Sequence, residues 1–286
     1  MRGDGMRTTT NRFMIIAAVI LLLTAGCTIV DYPALVLLPV SSIPSTTTVP
    51  SFPDQVFRDG SSVGFSDYHR DYGYIKVTIN FFKDSYQTVS IESFDALGQP
   101  RNDAADSPAL QSAIGLGGRL RSLGPNRIAE LDAISGATVT VNGIKQAAWR
   151  ATAKARYRQD QEASIYYDGT FLGVSDRSLR GWTIAVVTIR RGVMEHVMLQ
   201  GVFPQTEELE DGSTAELLDA NGDFVYQVAS ADHPWPEYHQ AVEILEQNFI
   251  AAGISGIDYV DSITRATVTS LEAKIAVSRA LDAAKR

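Results

Sequence analysis

The sequence predicts an α+β protein made of two tandem copies of one small domain, each an antiparallel hairpin or sheet followed by a C-terminal helix. Three observations lead there. Asp132-Ala133-Ile134-Ser135-Gly136-Ala137-Thr138-Val139-Thr140 is nearly repeated 129 residues later as Asp261-Ser262-Ile263-Thr264-Arg265-Ala266-Thr267-Val268-Thr269. The agreement continues through Lys145 and Lys274, Ala147 and Ala276, Arg150 and Arg279, and Ala151 and Ala280, which marks a duplication. Each copy also opens on Asp-Gly-x-x-x-Gly, Asp59 to Gly64 and Asp168 to Gly173, and a glycine followed by an aromatic then launches a strand, Gly73-Tyr74 or Gly181-Trp182.

The elements follow from periodicity. Ile75, Val77, Ile79 and Phe81 alternate with Tyr74, Lys76, Thr78 and Asn80, the period of a strand with one buried face. The counterpart from Ile184 to Ile189 is apolar on both faces, so it is expected to be covered twice. Polar turns at Lys83-Asp84-Ser85 and Arg190-Arg191-Gly192 lead into hairpin partners, Tyr86 to Ile91 and Val193 to Leu199. The stretch from Leu97 to Asn126 is loosely patterned. From opening to motif the second copy is longer, 93 residues against 73, with the excess around Thr206 to Pro236. Tyr238, Val242, Leu245 and Phe249 give Glu237 to Ala252 a helical stripe. An alanine-rich helix follows each motif. Thr269-Ser270-Leu271-Glu272 fits a capping box, which predicts Thr269, and by alignment Thr140, as the N-caps.

At 286 residues and 45% hydrophobic, the chain can bury two cores. Residues 1–26 hold three arginines and one acid, leaving 22 basic and 32 acidic side chains and a net charge of −10 beyond them. That surface disfavours nucleic acid as a partner. The single cysteine, Cys27, excludes an internal disulfide and a thiolate cluster. His196 and His233 have no partner at metal-ligand spacing, and neither a metal site nor a catalytic acid–base or nucleophile constellation is expected.

Arg2, Arg7 and Arg12 precede an apolar run from Phe13 to Leu23 and a small-residue close, Thr24-Ala25-Gly26. This describes a signal peptide over residues 1–26. Its end resembles a bacterial lipobox, with Thr24 where leucine is usual; that resemblance implies cleavage before Cys27 and lipidation of its thiol. An uncleaved anchor and a buried core segment are the other readings. Residues 27–53 then form a Ser/Thr/Pro tether, and the two domains are placed at 54–160 and 161–286.

The motif has chemical interest because it leads into a helix. First-turn N–H groups lack intrahelical partners and the peptide dipoles add partial positive charge, so an anion is stabilised there. Gly136 admits close approach of a bulky group, and small Ala137 leaves the Thr138 hydroxyl accessible. An ordinary capping turn is the alternative. Tyr72, Tyr74, Trp149, Trp182 and Trp235 offer faces on which a flat ring stacks, or pack in cores. Lys145 and Arg150 either steer a phosphate or occupy a solvated helix face.

Asp132-x-x-Ser135-Gly136-Ala137-Thr138 resembles the flavinylation motif of FMN-binding domains, found in the NqrC and RnfG subunits of ion-pumping redox complexes and in flavinylated lipoproteins of extracellular electron transfer. The resemblance covers roughly residues 55 to 158 and 163 to 286. It implies FMN joined through its phosphate to Thr138, with Asp132, Ser135, Gly136 and Ala137 as recognition elements. It also implies a separate FAD-dependent, magnesium-requiring flavin transferase that makes the bond. In the second copy it implies a possible FMN on Thr267, with Asp261, Thr264 and Ala266 around it. Arg265 replaces the family's glycine there, and either pairs with the phosphate or blocks the transferase.

The expectation is an exported flavoprotein, held to the bacterial membrane as a lipoprotein, that carries electrons from a membrane redox donor to an extracytoplasmic acceptor and is not itself an enzyme. Two other classes stand beside it: a surface lipoprotein using the fold as a flavin-free binding or spacer module, and a flavin-dependent reductase.

Overall fold

The computed structural model describes residues 55–101, 108–157, 164–210, 212–229 and 236–286. The signal peptide, Cys27, the tether, Asp54, the joint at 158–163, His233 and Trp235 lie outside the described residues.

The fold is α+β. The first half contains β1 (Gly60–Phe65), β2 (Tyr74–Phe82), β3 (Ser85–Phe94), α1 (Pro108–Ile114), α2 (Gly117–Leu123), a 3-10 turn at Ile128–Glu130 and α3 (Thr138–Ala155). The second contains β4 (Gly169–Val174), β5 (Trp182–Arg190), β6 (Val193–Pro204), β7 (Thr206–Glu208), β8 (Thr214–Glu216), β9 (Tyr226–Val228), α4 (Pro236–Ala252), a 3-10 turn at Ile254–Tyr259 and α5 (Thr267–Ala284). All strand pairs are antiparallel, in the orders β1-β2-β3, β4-β5-β6-β9 and β7-β8.

Hydrophobic burial explains the layering. The alternating face of β2, with Ile75, Val77, Ile79 and Phe81, packs against Val141, Ile144, Ala147, Ala148 and Ala151 of α3. Alanines on the helix and a glycine on the strand bring these layers very close: a Cβ on Gly64 would lie 2.0 Å from the Ala147 carbonyl oxygen, and one on Gly173 1.9 Å from that of Ala276. The opening aspartates brace the hairpins. Asp59 Oδ1 accepts the Lys83 N–H at 2.9 Å, and Asp168 Oδ1 the Arg191 N–H at 2.7 Å. Ser66 Oγ accepts from Ile75 N, and Ser175 Oγ from Thr183 N, each at 2.9 Å. Each half also closes on its own start: Arg58 N donates to the Ala155 carbonyl at 2.7 Å, and Tyr167 N to that of Ala284 at 2.8 Å.

The doubly apolar β5 has its physical reason between the halves. Ala185, Val187 and Ile189 join the core beneath α5, while Trp182, Ile184 and Val186 face a cluster that includes Tyr68, Tyr74 and Leu97 of the first half. Trp182 Nε1 donates to the Leu97 carbonyl at 3.1 Å, and Tyr68 N to the Thr170 carbonyl at 2.7 Å.

The structure adds elements in two stretches and corrects one expectation. The loosely patterned stretch after Leu97 contains two seven-residue helices, α1 and α2, whose glycine-rich junction at Gly115, Gly117 and Gly118 erases any sustained period. The excess length of the second half is partly strand: β7 and β8 form their own hairpin and β9 extends the main sheet. The predicted capping box does not form. Both closing helices begin three residues earlier, with Ala137 and Ala266 as N-caps, and the Glu272 carboxylate instead accepts from Thr183 Oγ1 of β5 at 2.8 Å. Among the described residues, no helix is long and apolar enough to cross a membrane, and no group of three or more His, Cys, Asp or Glu side chains is placed to hold a metal.

Candidate functional site

The motif is a turn feeding directly into α3. Ala137 N donates to the Ile134 carbonyl at 3.0 Å, and Val141 N returns to the Ala137 carbonyl at 2.9 Å. Gly136 has φ 81°, the left-handed conformation that glycine adopts without penalty, and Ala137 follows at φ −130° and ψ 25° as the N-cap. Having no side-chain oxygen, Ala137 cannot cap the helix, which leaves the first-turn N–H groups of an 18-residue helix to other acceptors. Thr138, expected just ahead of the helix, is its first residue.

Ala137 is buried, whereas Asp132, Ser135, Gly136 and Thr138 are exposed. A Cβ added at Gly136 would meet only the Ala109 methyl of α1, at 3.4 Å. The arrangement thus combines an accessible hydroxyl, unpaired helix N–H groups and an open approach over a glycine. Such a donor set stabilises an anion placed beside the helix start.

The second motif has almost the same backbone. Ala266 N donates to the Ile263 carbonyl at 3.0 Å, Ser270 N to the Ala266 carbonyl at 2.9 Å, and Ala266 has φ −126° and ψ 35°. Ala266 is buried, while Asp261, Thr264, Arg265 and Thr267 are exposed. Arg265 occupies the glycine position at φ 68°, so a large side chain adopts a conformation that costs it about 1 kcal/mol. Ser270, where the first half has Val141, fastens this turn further by accepting from Ile263 N at 3.0 Å and donating to the Ala266 carbonyl at 2.8 Å.

The two basic residues of the first helix have different tasks. Lys145 Nζ bonds the Ala129 carbonyl at 3.2 Å, holding the 3-10 turn before the motif; Lys274 does the same to Asp258 at 3.4 Å. Arg150 contradicts the solvated-face reading: it is 3% exposed and lies between the halves. Its guanidinium donates to the Phe65 carbonyl at 2.8 Å, to Asp67 Oδ1 at 2.7 Å and to the Asp168 carbonyl at 3.1 Å. It also lies over Phe171 and Tyr167, 4.7 and 5.5 Å from the ring centroids. Neither basic group is held at Thr138.

Of the aromatic candidates, the four described each contact another ring; Trp182 is buried in a core, whereas Tyr72 and Trp149 remain 49% and 55% exposed. Tyr72 sits on His69, Trp149 on Tyr167, and Trp182 on Tyr226. Tyr74 stacks on Phe94, and burial pushes its phenol up to about 12. Sequence reasoning missed the placement of Ala109 near Gly136 and the part of Ser270 in fastening the second turn. Neither position carries a local signal, because each acts through a partner fixed only by the fold.

Residues 72–153 match the family model of the FMN-binding domain. The matched stretch spans β2 through most of α3 and includes the whole motif, and it supports an FMN-binding domain in the first half, with FMN as its cofactor. No curated protein and no solved structure matches the chain.

Proposed function

We propose that this protein is an exported electron carrier holding FMN covalently, through a phosphoester to Thr138, and that its two halves are copies of one domain. The observation that carries the reading is the turn within the matched domain: Gly136 in the left-handed region, Ala137 buried, and Thr138 exposed as the first residue of α3. A separate FAD-dependent, magnesium-requiring flavin transferase makes the bond: the pyrophosphate link of FAD breaks, its FMN phosphorus joins Thr138 Oγ as the hydroxyl loses its proton, and AMP leaves. The first-turn N–H groups orient the phosphate, and Asp132, Ser135 and Gly136 form the surface the transferase reads. Bound FMN supplies one- and two-electron chemistry, while the chain positions it and tunes its surroundings. The recurring helix starts, strand–helix glycines and opening aspartates support the duplication.

In this reading the signal peptide exports the chain, Cys27 anchors it by lipid, and electrons pass from a membrane donor to an extracytoplasmic acceptor. The protein is then a substrate of the transferase and a carrier, not an enzyme. For the second half, the exposed Arg265 in place of the glycine favours a flavin-free auxiliary module.

Intact-mass spectrometry with peptide mapping, on protein exported alongside an active transferase, tests this. The expected result is one added FMN, lost in Thr138→Ala. Two additions, the second lost in Thr267→Ala, make the second half a flavin carrier as well. No addition, while a control substrate is modified, overturns covalent attachment.

A further inference from the structure

Each half gathers exposed apolar and basic side chains at the end where its chain enters, leaves and turns its main hairpin. In the first half Asp84 Oδ1 accepts from Val56 N at 2.9 Å and Phe57 N at 2.8 Å, and Tyr157 N donates to the Val56 carbonyl at 3.0 Å. Val56, Tyr157 and Phe82 of the hairpin tip are thereby held together, all three exposed. In the second half Arg286 N donates to the Ile165 carbonyl at 2.9 Å, and a Cβ on Gly192 would lie 2.8 Å from Ser164 Oγ. Ile165 and Val193, 69% and 61% exposed, therefore sit beside the tip Arg191-Gly192. The two ends are neighbours. Lys154 is near enough to Asp282 and Lys285 for their charges to act on it, and Tyr167, whose O–H donates to the Arg150 carbonyl at 3.2 Å, lies 4.9 Å beneath Arg286.

The charges here favour one sign. Among the described residues the first end carries Arg58, Lys83, Lys154 and Arg156, and the second Arg190, Arg191, Lys285 and Arg286. Five carboxylates stand against these eight cations. Asp59, Asp84 and Asp168 accept backbone N–H groups, Glu195 pairs with Arg190, and Asp282 pairs with Lys285. The excess is local, because the chain beyond residue 26 has a net charge of −10. Residues 27–53, which carry Cys27, precede this end in sequence, so a bilayer holding Cys27 meets it first.

We propose that this face rests on an anionic phospholipid surface, its cations meeting the lipid phosphates and its exposed apolar side chains entering the headgroup layer. The tether raises the effective concentration, which lets individually weak contacts set the orientation. The inference rests on the membrane-anchored reading for its setting.

The unit from Phe52 to Arg286 is compact by itself and holds both cores, so it can be tested without the anchor. Cosedimentation at low salt compares vesicles of phosphatidylcholine with vesicles that also contain phosphatidylglycerol. Binding roughly tenfold stronger to the anionic vesicles is expected, falling as salt is raised. Lys83→Asn and Arg191→Asn, which keep a residue that tolerates φ of 47° and 52°, should each weaken it about fivefold. Arg70→Asn and Arg180→Asn remove exposed cations at the opposite ends of the same hairpins, just before β2 and β5, and should leave it nearly unchanged. Equal binding to both vesicles, or no binding, by the unmodified unit overturns the proposal whether or not the variants fold, as does an equal loss in the two pairs of variants. None of these results bears on lipidation of Cys27, which mass spectrometry of the exported chain reads separately.

Discussion

Replacing Arg150 and Arg279 by alanine in turn should have very different consequences, although the two residues occupy equivalent places. Each spans from its helix to a strand carbonyl, Phe65 or Val174, and to a carboxylate, Asp67 or Asp176. Burial separates them: the side chain of Arg150 is 4% exposed and that of Arg279 48%. Removing Arg150 strips donors from the carbonyls of Phe65 and Asp168 and leaves a void against Phe171 and Tyr167. A buried acceptor without a partner costs about 1–3 kcal/mol. Asp67 is 44% exposed and recovers water, so its share is small. The sum for Arg150→Ala is about 3–4 kcal/mol. Arg279→Ala breaks a largely solvated pair, with Asp176 77% exposed, and should cost no more than about 1 kcal/mol. For a chain of this size, thermal unfolding should then shift by about 10 °C in the first variant and about 3 °C in the second. Equal shifts would show that Arg150 does not join the halves as argued.

Three further outcomes follow from local geometry. Arg265→Gly relieves the left-handed strain at φ 68° and should raise stability by about 0.5–1 kcal/mol in urea unfolding; if the arginine alone bars the second motif, mass spectrometry will also find FMN on Thr267. Gly64→Ala forces a methyl to within 2.0 Å of the Ala147 carbonyl and should cost about 3 kcal/mol or more, read by the same unfolding curve. Burial pushes the Tyr74 and Tyr86 phenols up to about 12. The unfolded chain therefore loses these protons first, so their contribution is intact below pH 10 and falls between pH 10 and 12, by on the order of 1.4 kcal/mol per pH unit for each. Urea unfolding across that range should show the loss, reduced in Tyr86→Phe.

Local pattern was enough wherever one face of an element meets one core. The alternation of β2, the stripe of α4 and the alanine-rich closing helices were all legible because each side chain's surroundings repeat with the element's own period. The motif turn was legible too, since a glycine beside an alanine and a threonine is specified by neighbours in sequence. What failed depended on distant partners. Glu272 reads as a capping residue until Thr183 of β5 takes its carboxylate, and Arg150 reads as a solvated cation until the second half covers it. The helices α1 and α2 are too short to establish a period of their own.

In each half the first strand's approach is hydrogen-bonded to the end of the last helix, Arg58 to Ala155 and Tyr167 to Ala284. Entry and exit therefore lie side by side, and each half is a loop closed at its neck. Such a unit can be copied in line with only a short joint, because neither core has to open to receive its neighbour. The first unit has a glycine at its motif; the second has an arginine there, and carries a further hairpin and an added strand away from the first unit's neck.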